Sequence, residues 1–145
     1  MATCAPSLFT ALIHTELGAW NAVESALSDA GNTLTLGRFL VLRTVRDTPA
    51  CRIQEVAASQ GITLGAASRL VDRVHRDGLL HRTPCEHDRR ATILTVTDQG
   101  LAHLEEACAV VEKEQERIFS PLSTAQREEL TRSLALIAEA TEGRA

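Results

Sequence analysis

Apolar side chains recur every three or four positions through most of the chain and alternate through one short stretch. Phe9, Leu12, Ile13, Leu17, Trp20, Val23 and Leu27 mark one long amphipathic helix over residues 7–29. Gly31 and Asn32 end it, because both accept backbone conformations that close a helix. Thr35 is placed to cap a second helix, about 36–47, that buries Phe39, Leu40, Leu42 and Val45. Asp47, Thr48 and Pro49 break it. A short helix follows at about 52–59 and a longer one at about 63–77, stopped by Asp77 and Gly78. Residues 79–84 and 91–97 read as two strands, the second β-branched and partly alternating. The polar run from Cys85 to Arg90 between them reads as the exposed tip of a hairpin. Thr97 caps another long helix, about 98–119, through Leu101, Leu104, Cys108, Val111 and Ile118. Pro121 interrupts it, and Ser123 with Gln126 forms a capping box that opens a last helix reaching about 141. The predicted order is α-α-α-α-β-β-α-α, mainly helical with one small β-hairpin.

The middle of this pattern carries the most information. Val56, Ile62, Ala67 and Leu70 are apolar where two crossing helices must meet, and Ala57 is small where their backbones come closest. Gly61 falls at the turn, where positive φ costs a glycine little. This is helix-turn-helix spacing, followed by a hairpin with Arg89 and Arg90 expected at its tip. A helix for the major groove beside an arginine-bearing wing for the minor groove is a geometry that reads DNA. The first and the last two helices have apolar stripes wide for a small monomer. They either cover one another or pair with a second chain, and one recognition helix contacts few base pairs. A two-fold dimer on a palindrome is therefore expected.

Charge first opposes this reading and then supports it. The 145-residue chain has a net charge of −4. Residues 38–90, however, hold ten Arg and six acids, while the remainder holds five basic and thirteen acidic residues. A basic middle lies between acidic ends, and it is the local field that steers a polyanion. The length fits one domain. No apolar run approaches a membrane span, and Met1-Ala2-Thr3-Cys4 lacks the basic start of a signal peptide, so a cytoplasmic protein is expected. Cys4, Cys51, Cys85 and Cys108 are scattered without a CxxC pair, which argues against a disulfide framework.

The run from Leu64 to Leu80 and the run from Asp88 to Thr97, with Gly100 after it, resemble the MarR family of winged helix-turn-helix regulators. The family's wing motif is Asp, any residue, Arg, then a strand closing in Leu-Thr. Asp88, Arg90 and Thr97 fill it, with Val96 in place of the usual Leu. The resemblance covers nearly the whole chain and implies one domain over 1–145. Its DNA-binding lobe would span about 33–97, with dimerisation helices at about 5–30 and 98–145. It also implies a homodimer on promoter palindromes, acting as a repressor released by a small ligand or by oxidation.

Thr63, Gly65, Ala66, Ser68, Arg69 and Arg73 lie at the start or on the outer face of the recognition helix and are the expected DNA contacts. Hydroxyls donate to phosphate or base edges, Ala66 suits a thymine methyl, and Arg69 suits guanine. Asp72 is expected to orient Arg69, Arg73 or Arg76. By resemblance Arg90 enters the minor groove with Asp88 supporting it, and Arg89 meets phosphate. The resemblance implies a ligand site between the first helix, the second helix and the DNA-reading lobe, where His14, Trp20, Arg38 and Arg43 offer an aromatic face and cations for an aromatic carboxylate, so a phenolic or aromatic-acid effector is the expected ligand. The alternative is a thiol-based redox repressor. Cys85 would sit on the wing among His81, Arg82, His87 and Arg90, where positive charge favours the thiolate. Cys4 matches, in location only, the peroxide-sensing cysteine of one family branch, whose supporting tyrosines this chain lacks. Cys108 falls on an apolar stripe and reads as inert core, while Cys51 is left undecided. His81, Cys85 and His87 do not complete a tetrahedral metal set on a rigid element. No phosphate loop, HExxH or GxSxG is present, so neither an enzyme nor a cofactor is expected.

Overall fold

The computed structural model describes residues 7–86 and 88–142, with residues 89 and 90 described by their backbone alone. Cys4 and His87 lie outside the described residues. Six helices and one hairpin follow the predicted order: α1 Leu8–Asp29, α2 Leu36–Asp47, α3 Ile53–Gln60, α4 Leu64–Arg76, β1 Leu80–Cys85, β2 Asp88–Val96, α5 Asp98–Phe119 and α6 Thr124–Glu142.

Local chemistry sets most of these boundaries. The Thr35, Thr63 and Thr97 hydroxyls accept from the backbone N–H of Arg38, Ala66 and Gly100 at 3.4, 3.2 and 2.9 Å. Each satisfies an N–H that the helix start leaves orphaned. At α6 the capping box is reciprocal: the Ser123 N–H donates to Gln126 Oε1 at 2.9 Å and the Gln126 N–H to Ser123 Oγ at 3.3 Å. At α3 the Arg52 N–H donates to Glu55 Oε2 at 2.8 Å. Burial pushes the Glu55 carboxyl up, but hydrogen bonds from Gln54 and the backbone outweigh it and hold the group below the ordinary carboxylate range.

One core joins the elements. Phe39, Val41, Leu42 and Val45 of α2 lie at its centre with Val23 and Leu27 of α1, Val56 of α3, Val71 and Val74 of α4, Leu80 and Leu94 of the hairpin, and Leu104 and Val111 of α5. α1 packs along α5, while α2 touches α3, α4, α5 and β2. Cys51, undecided from the sequence, is wholly buried, and burial pushes its thiol pKa up. Its carbonyl accepts from the Leu94 N–H at 2.8 Å, tying the α2–α3 connection to the wing.

The long outer helices leave much of their apolar surface exposed. Of the apolar stripe on α1 only Val23 and Leu27 are buried, whereas Phe9, Ile13, Leu17 and Trp20 are exposed. α6 packs extensively on none of the other elements, and Leu130, Leu134, Leu136 and Ile137 are exposed along it. The two stripes do not cover each other within one chain.

Candidate nucleic-acid interface

α3 and α4 cross as the spacing requires. Val56 and Ala67 are wholly buried and Ala57 nearly so. Gly61 takes φ 60° and closes α3 through its N–H to the carbonyls of Ala57 and Ala58. Ile62, expected in this seam, instead stays 36% exposed. The left-handed turn swings it outward, and its N–H bonds back to the Ala57 carbonyl at 3.1 Å.

α4 turns a narrow apolar edge inward through Ala67, Val71 and Val74. Thr63, Gly65, Arg69 and Arg73 are exposed on the opposite side, with Ala66 and Ser68 half-buried beside them. The Thr63 oxygen is spent on capping, yet its O–H proton still has a donor's freedom. Among the described residues no acid pairs with Arg69 or Arg73, so both guanidiniums remain available for phosphate or base edges. Other arginines of the basic middle are engaged. Arg38 pairs with Asp77 at 2.9 Å, Arg46 with Asp47 at 2.7 Å, and Arg82 with Asp72 at 2.5 Å.

That last pair corrects the role expected for Asp72. Its described partner is Arg82 on β1 and not a neighbour on its own helix, because the start of the wing folds back against that flank of α4. Further bonds lock the same junction. His75 Nδ1 meets the Leu80 carbonyl oxygen at 2.8 Å, and the Thr97 hydroxyl donates to the Gly78 carbonyl at 2.8 Å. Gly78 makes the turn at φ 76°. Recognition helix and wing are thus one mechanical unit.

The hairpin closes more tightly than the sequence implies. Cys85 pairs with Asp88, so Arg89 and Arg90 belong to β2 and not to the tip. Pro84 pairs with Thr92, so the register shifts between Pro84 and Cys85. Such an interruption bends and re-aims a strand, and Pro84 suits it because it has no ladder N–H to give. Asp88 is exposed and engaged with another residue.

A hollow of about 510 Å³ lies between α3, α4 and the wing, lined by Arg52, Gln54, Leu64, Gly65, Ser68 and Thr92 among others. Sequence reasoning did not assign Arg52 or Gln54 to this face. Nothing local tells that the start of α3 looks toward the wing; that follows from the α3–α4 crossing.

The four residues expected around a ligand are not brought together. Trp20 lines an apolar hollow of about 290 Å³ between α1, α2 and α5, with Val23, Leu36, Phe39, Val111 and Ile118. Arg43 lies over the Phe39 ring at 6.0 Å and lines a neighbouring recess with Arg46 and Cys108. Arg38 faces a separate recess with Asp77 and His103, while His14 is exposed on α1. Arg38 and Arg43 are five residues apart on α2, which turns them to different sides of the helix. Cys85 and Cys108 are free and half-buried. Cys108 therefore lies at the edge of the core, in contact with Arg46, and not within it. Among the described residues no group of three His, Cys, Asp or Glu could hold a metal ion, and no helix is long and apolar enough to cross a membrane.

A crossed helix pair with a polar, arginine-bearing outer helix, locked to an antiparallel wing, defines a winged helix-turn-helix DNA-binding protein. The MarR family model matches residues 34–92. The repressor Rv2887 of Mycobacterium tuberculosis is 30% identical over 112 residues, covering 77% of this chain and 79% of that protein. The regulator BilQ of Clostridium symbiosum is 29% identical over 107 residues, covering 74% and 73%. Among solved structures, the repressor CouR bound to a DNA duplex superposes with TM-score 0.81 at 30% identity, over 90% of this chain and 92% of that one. Bordetella bronchiseptica BpsR shares the fold with TM-score 0.85 at 22% identity, over 95% and 97%. The chain belongs to the MarR family of DNA-binding transcriptional regulators and is not an enzyme.

Proposed function

We propose that this regulator is a repressor that binds a palindromic operator as a homodimer and leaves it when a small anionic aromatic compound binds. The observation that carries the reading is the pairing of one recognition helix per chain with uncovered apolar stripes on α1 and α6. Two chains joined through residues about 5–30 and 98–145 bury those stripes and present two reading lobes, each about 33–97, to half-sites roughly one helical turn (~10 bp) apart. In each lobe Thr63, Gly65, Ala66, Ser68, Arg69 and Arg73 meet the major groove. Arg89 and Arg90 on β2 meet phosphate and minor groove, with Asp88 as support.

The Trp20 hollow supports the effector class. It joins α1 and α5, which belong to the dimer part, to α2 of the reading lobe, so an occupant biases the spacing of the lobes. Its walls are mainly apolar and aromatic, with Glu16 and Gln115 among them, and the Arg43 guanidinium lies over the ring of Phe39, one of those walls, at 6.0 Å. Rv2887 has been solved with salicylic acid, and that structure superposes on this chain with TM-score 0.68 at 28% identity over 94% of it.

The test is direct. Duplexes selected from a random pool should converge on an inverted repeat protected over both half-sites, and salicylate-class acids should quench Trp20 fluorescence and release the duplex together. Protection of one isolated half-site would sink the dimer reading. Millimolar acid that changed neither fluorescence nor affinity would reject the ligand class.

A further inference from the structure

The first turn of α4 holds one residue that polar DNA contacts leave unexplained. Leu64, the first residue of the helix, is 59% exposed, and Ile62, on the other side of the Thr63 cap, is 36% exposed. The other apolar residues of α4 are accounted for: Ala67, Val71 and Val74 are buried, while Ala66 and Leu70 are half-buried. Every other exposed residue of the helix is glycine, arginine or histidine. A single exposed leucine is by itself ordinary. This one stands on the first turn of the recognition helix, the turn that such helices set against base edges. It also lines the hollow between α3, α4 and the wing with Gly65, Ser68 and Thr92. A Cβ at Gly65 would meet nothing nearer than Arg69 Nη1 at 4.0 Å, so the backbone beside Leu64 is bare and open to close approach.

We propose that Leu64 is a specificity-determining residue that reads the C5 methyl group of thymine in the major groove of the operator. The assignment rests on the operator-binding reading above. Thymine presents an O4 acceptor and a methyl group, whereas cytosine presents an amino donor at the neighbouring position. A leucine offers no polar partner to either group, so what it favours is the methyl, which thymine carries and cytosine lacks. Ile62 extends the same apolar surface past the cap. Arg69 and Ser68 on the next turn read polar edges one step further along the groove.

The experiment uses the full-length protein and the duplex selected from the random pool. Each thymine of a half-site is replaced in turn by deoxyuridine, which removes the methyl and nothing else. For one thymine per half-site the wild-type protein should lose about threefold to fivefold in affinity, the effect of one buried methyl group. Leu64→Ala should bind the thymine duplex more weakly and bind thymine and deoxyuridine duplexes alike, while Leu64→Met should keep part of the discrimination. All three proteins should melt at the same temperature, because the side chain is largely outside the core. The assignment is overturned if Leu64→Ala discriminates as the wild type does, or if no thymine responds to deoxyuridine. A pool that yields no enriched duplex would sink the operator reading itself, and this assignment with it.

Discussion

Gly100 is where a single methyl group decides most. A Cβ there would lie 2.3 Å from the Leu79 carbonyl oxygen and 2.7 Å from Val96 Cγ1. The first is backbone held by the Thr97 N–H at 3.1 Å, and the second belongs to a β-branched strand residue, so neither yields cheaply. Gly100→Ala should therefore cost about 2–3 kcal/mol of unfolding free energy, the range for overpacking, despite alanine's better helix propensity. Urea denaturation measures it; an unchanged midpoint would mean that the strand–helix junction shifts freely. In the sequence the glycine is legible only as part of the family resemblance. What it makes room for was not, because Leu79 approaches it only once the hairpin has returned. Cys51 is a parallel case. Its isolation in sequence said nothing, while burial against α3 and β2 makes it a core residue.

At the scale of elements, the wing is clasped to the recognition helix by Arg82 and Asp72 at 2.5 Å. Both side chains keep substantial exposure, 30% and 46%, so the pair contributes little to stability, under about 1 kcal/mol. Its effect is on orientation, since it joins the two parts that the proposed operator reading sets in adjacent grooves. Asp72→Asn should leave the melting temperature within a degree or two, the size of a sub-kcal/mol change, while lowering operator affinity severalfold. Melting curves and titrations run side by side check it; full affinity in Asp72→Asn would reduce the pair to a surface contact. Helix ends are legible in the sequence because caps act over three residues: Thr35, Thr97 and the Ser123–Gln126 box each bond within their own turn. The hairpin tip was misread for the opposite reason. Whether Arg90 sits in a turn or in a strand depends on which residue faces Cys85, and pairing across strands leaves no local mark.

For the whole molecule, the uncovered stripe on α6 should set the state of assembly. Leu134 and Ile137 are 42% and 39% exposed, so a charge at either leaves the chain's own core intact. In a dimer seam the same charge is buried without a partner. Leu134→Glu and Ile137→Glu should sediment as monomers at micromolar concentration with unchanged helicity. They should bind the full operator no better than a half-site, because linkage between the two lobes supplies the effective concentration. Dimers that persist in both variants would place the seam elsewhere.

Order, type and ends of the helices, the glycine turn at Gly61 and the basic middle were all determined by the sequence alone. Each follows from interactions within a few residues or from composition. The partner of Asp72, the outward turn of Ile62, the strand position of Arg89 and Arg90, and the separation of His14, Trp20, Arg38 and Arg43 were decided by the tertiary structure. Each depends on the register or angle at which one element meets another. That angle is set by how side chains distant in sequence fill the shared core, and no periodicity along the chain carries it.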